Sequence, residues 1–286
     1  TMSEAVYNTN GGSGNLEAAD FSLSISGGNA TLSSATPSSI SISGKVYTLG
    51  ISLSSNMVYG TETLTVTPVA NSIYDLAGNA ASTSQSNNTA TLNGVAQQIG
   101  SDINGEAGSD YSGHSVSMNS AGDRVAIGAY GNDGSASGAG HVRVYALSSG
   151  SWTQLGADIN GEASSDYSGY SVSMNSAGDR VAIGAHENDG TSSAAGHVRI
   201  YSYNGSAWTQ LGSDIDGEAG SDNSGRSVSM NAAGDRVAIG ANYNDGTASN
   251  AGHVRVYEYS SGSWSQLGGD IDGEAGGDRS GWSASM

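Results

Sequence analysis

One length constrains this chain more than any composition does: 56 residues. Gly169–Ser224 falls on Gly113–Ser168 when shifted back by that amount and on Gly225–Ser280 when shifted forward, without a slip in register. Gly113, Gly169, Gly225 and Gly281 share one phase, and Trp152, Trp208 and Trp264 share another. A fixed period of this size marks a repeat architecture, in which one supersecondary module buries its apolar faces against its neighbours.

Four strand signals alternate with turn signals inside a unit. In the central copy they are SVSM (Ser171–Met174), RVAIGA (Arg180–Ala185), GHVRIYSY (Gly196–Tyr203) and AWTQLGSDI (Ala207–Ile215). Each is short, β-branched or aromatic, and bounded by Gly, Asn, Asp or Ser. Val172 and Met174 alternate with serines, and Val181 and Ile183 with Ala182 and Gly184. One face is therefore apolar and the other small, which suits sheets that approach closely. Asn175–Asp179 and Asn204–Ser206 carry tight-turn chemistry. Four antiparallel strands repeated in register predict propeller blades; the alternative, a β-solenoid, has shorter coils and lacks regular hairpins.

Residues 1–94 are a different material, rich in Ser, Thr, Asn and Ala. The runs FSLSISG, ATLSSA, SISISG, VYTLGISLS and ETLTVTPV read as strands of a small β-sandwich. Through LEAADFSLSISGG and SIYDLAGNAAST the segment resembles bacterial Ig-like surface domains, whose first strand would be missing here. Val95–Ile103 then copies a fourth strand without the three that precede it, and Gly281–Met286 begins a further unit. Three blades cannot close a ring, since propellers have about four to eight. The expected fold class is thus all-β: a β-sandwich over 1–94 and an incomplete β-propeller over 95–286. Its blades would span 113–168, 169–224 and 225–280, with the start of a fourth at 281–286, in a fragment truncated at both ends.

Composition narrows the function classes. With no cysteine there is no disulfide framework or thiol chemistry, and no apolar run approaches the roughly 18 residues of a membrane span. The net charge of −18 makes nucleic acid and anionic membranes poor partners, and no membrane insertion is expected.

Strand order places the fourth-to-first and second-to-third connections on one face, and these are the long loops. There each unit repeats an acidic sequence, DINGEASSD (Asp158–Asp166), DIDGEAGSD (Asp214–Asp222) and DIDGEAGGD (Asp270–Asp278), with DINGEAGSD (Asp102–Asp110) ahead of them. Oxygen side chains at alternate positions around a glycine suit a hard cation such as Ca²⁺. The metal candidates are Asp158, Asn160, Glu162 and Asp166, with Asp214, Asp216, Glu218 and Asp222. The opposing reading is that Asx-turns and glycine shape these loops while the carboxylates stay solvated; the spacing is not that of an EF-hand. NDG at Asn132, Asn188 and Asn244 reads as a structural turn. One histidine per unit (His141, His197, His253) cannot converge with its copies on one ion, so packing is expected. In GDR, Asp would pair with Arg at a hairpin.

The copies differ at three sets of positions on or beside the long-loop face. They are Tyr111, Tyr167, Asn223 and Arg279; His114, Tyr170, Arg226 and Trp282; and Tyr130, His186 and Asn242 with their following residues Gly131, Glu187 and Tyr243. Tyr, Trp, Arg and His dominate recognition surfaces, so the candidate ligand-binding residues are Tyr111, His114, Tyr130, Tyr167, Tyr170, His186, Arg226, Tyr243 and Trp282. The opposing reading is drift at exposed positions.

G-x-SVS followed by VAIGA and GHVRVY resembles the FG-GAP repeat of integrin α-subunit propellers and bacterial surface proteins. The resemblance covers residues 95–286 and implies a secreted or cell-surface scaffold that binds a protein or glycan ligand. That family's Ca²⁺ loop lies between the first two strands, where this chain has only NSAGD or NAAGD, so its metal site does not carry over. The expectation is a non-catalytic adhesion or ligand-binding protein, because no nucleophile–base pair stands out. An accessory region of a large secreted hydrolase and a purely structural spacer are the alternatives.

Overall fold

The computed structural model describes residues 2, 5–28, 30–54, 61–92 and 98–286. The chain divides into two compact units, residues 1–98 and 99–286. No helix among the described residues is long and apolar enough to cross a membrane.

The first unit holds five strands: β1 (Phe21–Ser26), β2 (Ser39–Ser43), β3 (Val46–Gly50), β4 (Thr63–Pro68) and β5 (Thr89–Thr91). They form an antiparallel sheet of order β1-β4-β5 and a separate β2-β3 hairpin. Alternation in FSLSIS buries Phe21 and Leu23 and exposes Ser22 and Ser24. Phe21, Leu16 and Ile73 form the core, with Val66 of β4, Ile40 of β2 and Leu49 of β3 packed on it. Ser and Thr fill the other positions, so little more can be buried. The ATLSSA run forms no strand, only a bridge between Leu32 and Leu53. The expected sandwich is here a three-stranded sheet and a hairpin over one small core.

The second unit repeats one antiparallel sheet three times. The first sheet has β6 (Ser115–Met118), β7 (Arg124–Ala129), β8 (His141–Ser148), β9 (Ser151–Gln154) and β10 (Ile159–Asn160). The second has β11 (Ser171–Met174), β12 (Arg180–Ala185), β13 (His197–Tyr203), β14 (Trp208–Gln210) and β15 (Ile215–Asp216). The third has β16 (Ser224–Met230), β17 (Arg236–Ala241), β18 (His253–Ser260), β19 (Ser263–Gln266) and β20 (Ile271–Asp272). Strands pair in sequence order, and the last two pieces of each sheet are one broken fourth strand along the third. The three four-stranded sheets make this unit propeller-like.

The break has a cause in the next unit. Tyr201 faces Gln210 and Val198 faces Ile215, so four residues of the fourth strand oppose two of the third. The bulge, with Gly212 at φ 80°, leaves the Leu211 carbonyl to accept from Trp264 Nε1 at 2.7 Å. Trp208 donates likewise to Leu155, and Trp152 to Ile99. Arg143 Nη2 donates to Asn104 O as Arg199 does to Asn160 O, both at 2.8 Å. Residues 99–104 therefore stand where a fourth strand would precede the first sheet. They form no strand, and residues 95–97 of the expected strand lie outside the described residues.

Sheets stack face to face. Ala182, Val198, Ile200 and Ile215 of the second pack on Val228, Met230, Val237 and Ile239 of the third. The equivalent layer joins the first and second sheets. The small side of VAIGA decides how closely they meet. A Cβ on Gly184 would fall inside contact distance of the Gly225 carbonyl oxygen, which also accepts from Ser171 Oγ at 2.7 Å. Arginines of GDR reach across too: Arg180 Nη1 donates to Gly234 O at 2.9 Å, while Asp179 bonds Asn175. The expected Asp–Arg pairing within the hairpin is therefore corrected.

Two substitutions test this stacking. Gly184→Ala should cost about 3 kcal/mol or more, because the obstacle is backbone that cannot turn aside. Val228→Ala, at 8% exposure, should cost about 2 kcal/mol, and Val116→Ala, at the same phase but 59% exposed, close to nothing. Urea unfolding of the three variants reads both; equal midpoints for the two valine variants would refute the stacking account.

Candidate functional site

The long-loop face is built from side chains that every copy shares. Asn188 Oδ1 accepts from Gly190 N at 2.8 Å, and its Nδ2 donates to Asp166 Oδ2 at 3.1 Å. Asp166, 3% exposed, also accepts from Ala163 N at 2.9 Å. Asn132 with Asp110, and Asn244 with Asp222, repeat the pair. Each acidic loop then zips onto the second-to-third connection of the preceding sheet. Ser165 N bonds Ser137 O at 2.9 Å, Tyr167 N bonds Gly138 O at 3.1 Å, and Ser168 N bonds Ala139 O at 2.9 Å.

The residue after each acidic loop lies in the left-handed region, and the zipper fixes it in the three copies that have a preceding sheet. Tyr111 and Tyr167 have φ 54°, Asn223 has 57° and Arg279 has 55°. Such a conformation costs a non-glycine residue about 1–2 kcal/mol and persists only where the surroundings fix it. All four are positions at which the copies differ.

The strained tyrosines join a continuous aromatic array. Tyr111 stacks on Tyr130 at 4.9 Å between ring centroids. His114 lies 4.7 Å from Tyr130 and 4.6 Å from Tyr170. Tyr170 meets His186 at 4.1 Å, and Tyr167 meets His186 at 6.1 Å. Arg226 continues the run, with its guanidinium 4.3 Å from the Tyr170 centroid and 4.5 Å from that of Trp282. Beside it Arg279 lies 4.9 Å over Tyr243. The nine candidate binding residues thus come together from three sheets, with Tyr111 59% and Trp282 51% exposed at the two ends. Two participants were not among the nine: Arg279, and Asn223, whose Nδ2 donates to His186 O at 2.9 Å. Both belong to a variable set, which was the signal available for them.

The eight metal candidates do not surround one point in their own loop. Asp166 and Asp222 are spent on the asparagine turns. The backbone carbonyls of Asn160 and Asp216 receive the arginines of the next sheet. Burial and the neighbouring Asp214 push the Asp216 carboxyl above its usual range. Asp158 is gathered with His141, whereas Glu162 is gathered with His197 and Asp214 across the following boundary. The carboxylates of a single loop therefore serve two boundaries between sheets.

Comparison with known proteins gives fold-level likeness only. No protein-family profile matches the chain, and no curated protein matches it. Solved structures do. A protein from Bacteroides uniformis assigned as a 6-phosphogluconolactonase aligns over 86% of this chain and 59% of its own, at 11% identity and a TM-score of 0.40. A second, from Bacteroides fragilis, aligns over 93% and 83%, also at 11% identity, with a TM-score of 0.41. A nidogen/laminin complex aligns over 76% and 60%, at 8% identity and 0.37. These neighbours are β-propeller-like, all-β repeat proteins. This chain spans 59% of the first of them. The expectation that the chain is not an enzyme is corrected here, because the matches include proteins assigned as enzymes. At this level of likeness no activity, substrate or partner passes to this chain.

His186 makes the array sensitive to acid. Burial, with His114 adding to it, pushes its imidazole down to about 4. Around it stand His114, the rings of Tyr167 and Tyr170, Arg226 beyond Tyr170, and Glu187, whose Oε1 is 3.6 Å from Nε2. A histidine kept neutral in the fold binds its proton more readily when unfolded. Stability is therefore full above about pH 6.5 and falls as pH drops towards 4, by about 2–3 kcal/mol for a group this well buried. Melting curves between pH 7 and pH 4 should show that fall, and His186→Gln should remove part of it. A His186→Gln profile parallel to the parent would refute the assignment.

Proposed function

We propose that the chain is a ligand-binding part of a secreted or cell-surface protein, engaging a protein or glycan through the aromatic array. One observation carries this reading. The residues that build the long loops are repeated from copy to copy, while most of those that vary are rings and arginines brought side by side from three sheets. Drift at exposed positions gives no reason for the variable side chains to contact one another.

Within that reading, the repeat unit is an FG-GAP-like propeller and residues 1–94 an Ig-like spacer. Order and spacing of the four strand motifs support the first. The turn between the first two strands closes without a cation, because Asn175 Oδ1 accepts from Asp179 N at 3.1 Å and from Arg180 N at 3.0 Å. That matches the missing cation sequence in NSAGD.

The test is binding of the full chain to a glycan array and to immobilised cell-surface protein extracts. Tyr170→Ala with Arg226→Ala should weaken capture at least tenfold, about 1.4 kcal/mol, and leave the far-ultraviolet spectrum unchanged. Binding that survives the double substitution would favour a spacer. Capture of polysaccharide alone would favour the accessory region of a hydrolase.

A further inference from the structure

Each histidine at the head of a third strand faces two carboxylates: His197 and His253 do so at the two boundaries between sheets, and His141 where the segment carrying Glu106 precedes the first sheet. The groups are Glu106, His141 and Asp158; Glu162, His197 and Asp214; and Glu218, His253 and Asp270. Within each, one ligand atom per residue lies within 4.8 Å of the others. His253 Nδ1 is 3.9 Å from Glu218 Oε2 and 3.7 Å from Asp270 Oδ2. His141 Nδ1 is 3.8 Å from Glu106 Oε2 and 3.9 Å from Asp158 Oδ2. His197 Nδ1 is 3.7 Å from Asp214 Oδ2.

These separations are too long for hydrogen bonds, which put nitrogen and oxygen about 2.9 Å apart. The imidazoles are 1% exposed, and neither nitrogen of His253 has a hydrogen-bond partner. A buried polar nitrogen aimed at two carboxylates and bonded to neither is costly unless something lies between them. Two ligands on a tetrahedral ion with bonds of 2.0–2.1 Å are about 3.4 Å apart. The spacings from His253 are a few tenths of an ångström wider, and no two ligand atoms of a group are more than 4.8 Å apart, within reach of carboxylates 31–47% exposed. Arg255 Nη1 lies 3.4 Å from Glu218 Oε1, and Arg199 Nη1 lies 3.1 Å from Glu162 Oε1. The arginine steadies the other oxygen of the glutamate. Its charge opposes a cation, but two carboxylates leave the group at net −1.

We propose that each of the three groups is a site for a divalent transition-metal ion of the Zn²⁺ class, held by His Nδ1 and two carboxylates, with water completing the shell. A hard cation such as Ca²⁺ or Mg²⁺ takes oxygen ligands, whereas imidazole selects ions of the zinc type. The glutamate comes from the acidic loop of one copy, and the histidine and aspartate from the next. At His197 and His253 the ion is therefore a clip between sheets. The recurrent histidine, expected to serve packing, does converge on a site, with carboxylates of two units rather than with its own copies.

Equilibrium dialysis of the full chain against Zn²⁺, followed by metal quantification, should give three ions per chain. Glu218→Gln with Asp270→Asn should lower that to two, and Zn²⁺ should raise the variant's melting temperature less than the parent's, at matched ionic strength. Co²⁺ in place of Zn²⁺ should show a visible absorption band that falls by a third in the variant. If the double variant fails to fold, Glu218→Gln alone serves, since that side chain is 47% exposed. No Zn²⁺ bound, three ions retained in the folded variant, or Ca²⁺ bound as well as Zn²⁺ would each overturn the proposal.

Discussion

The repeat depends on one close approach between backbones. The glycine of VAIGA in one sheet (Gly128, Gly184 or Gly240) faces the carbonyl of the phase-marking glycine in the next (Gly169, Gly225 or Gly281). No side chain fits between them. Once the backbones meet there, Ser115, Ser171 and Ser227 can bond the same carbonyls through Oγ. Met174 and Met230 amides can likewise donate to Ser117 and Ser173, both at 2.9 Å. Ala126 and Ala182 are small for the same reason, since the apolar face of the following sheet closes on them. A sheet with both faces used in this way has no core of its own, so its stability belongs to the boundary rather than to the unit.

Magnitudes separate what holds the boundary from what aligns it. Fully burying a Val, Ile or Met contributes about 1.5–3 kcal/mol, and each boundary takes several. A cross-boundary hydrogen bond such as Trp264 to Leu211 contributes about 1 kcal/mol net. Apolar contact therefore supplies most of the stability, and the polar bonds set the register. That register places loop on loop, which in turn holds Tyr167, Asn223 and Arg279 against their backbone preference.

Much of this was legible in the sequence because the period removes ambiguity. Alternation in SVSM and RVAIGA fixed both faces of two strands, and the turn residues of NSAGD marked the hairpin. The break in the fourth strand was hidden, since the residue that calls for it, Trp264, lies in the following copy. Arg180 read as a hairpin partner of Asp179 because the carbonyl it bonds, on Gly234, is 54 residues away. The histidine groups escaped for the same reason: Glu162 and His197 meet only after two sheets have stacked. In residues 1–94 there was no period to lean on. Ser- and Thr-rich runs such as ATLSSA carry strand propensity without enough apolar surface to need a partner.

The two kinds of residue on the long-loop face obey different constraints. Asp166, Asn188 and their copies are buried and bonded to backbone, so exchanging one unpairs another polar group inside the loop. The ring positions owe nothing to loop closure: Tyr, Asn and Arg all occupy the same left-handed site with φ between 54° and 57°. The loop backbone is therefore indifferent to which side chain it displays, and the displayed surface can change without altering the fold. Glu162 and Tyr167 lie on one such loop. Under the metal proposal, an ion on Glu162 would anchor the segment that presents Tyr167, coupling the order of the surface to the clip beneath it.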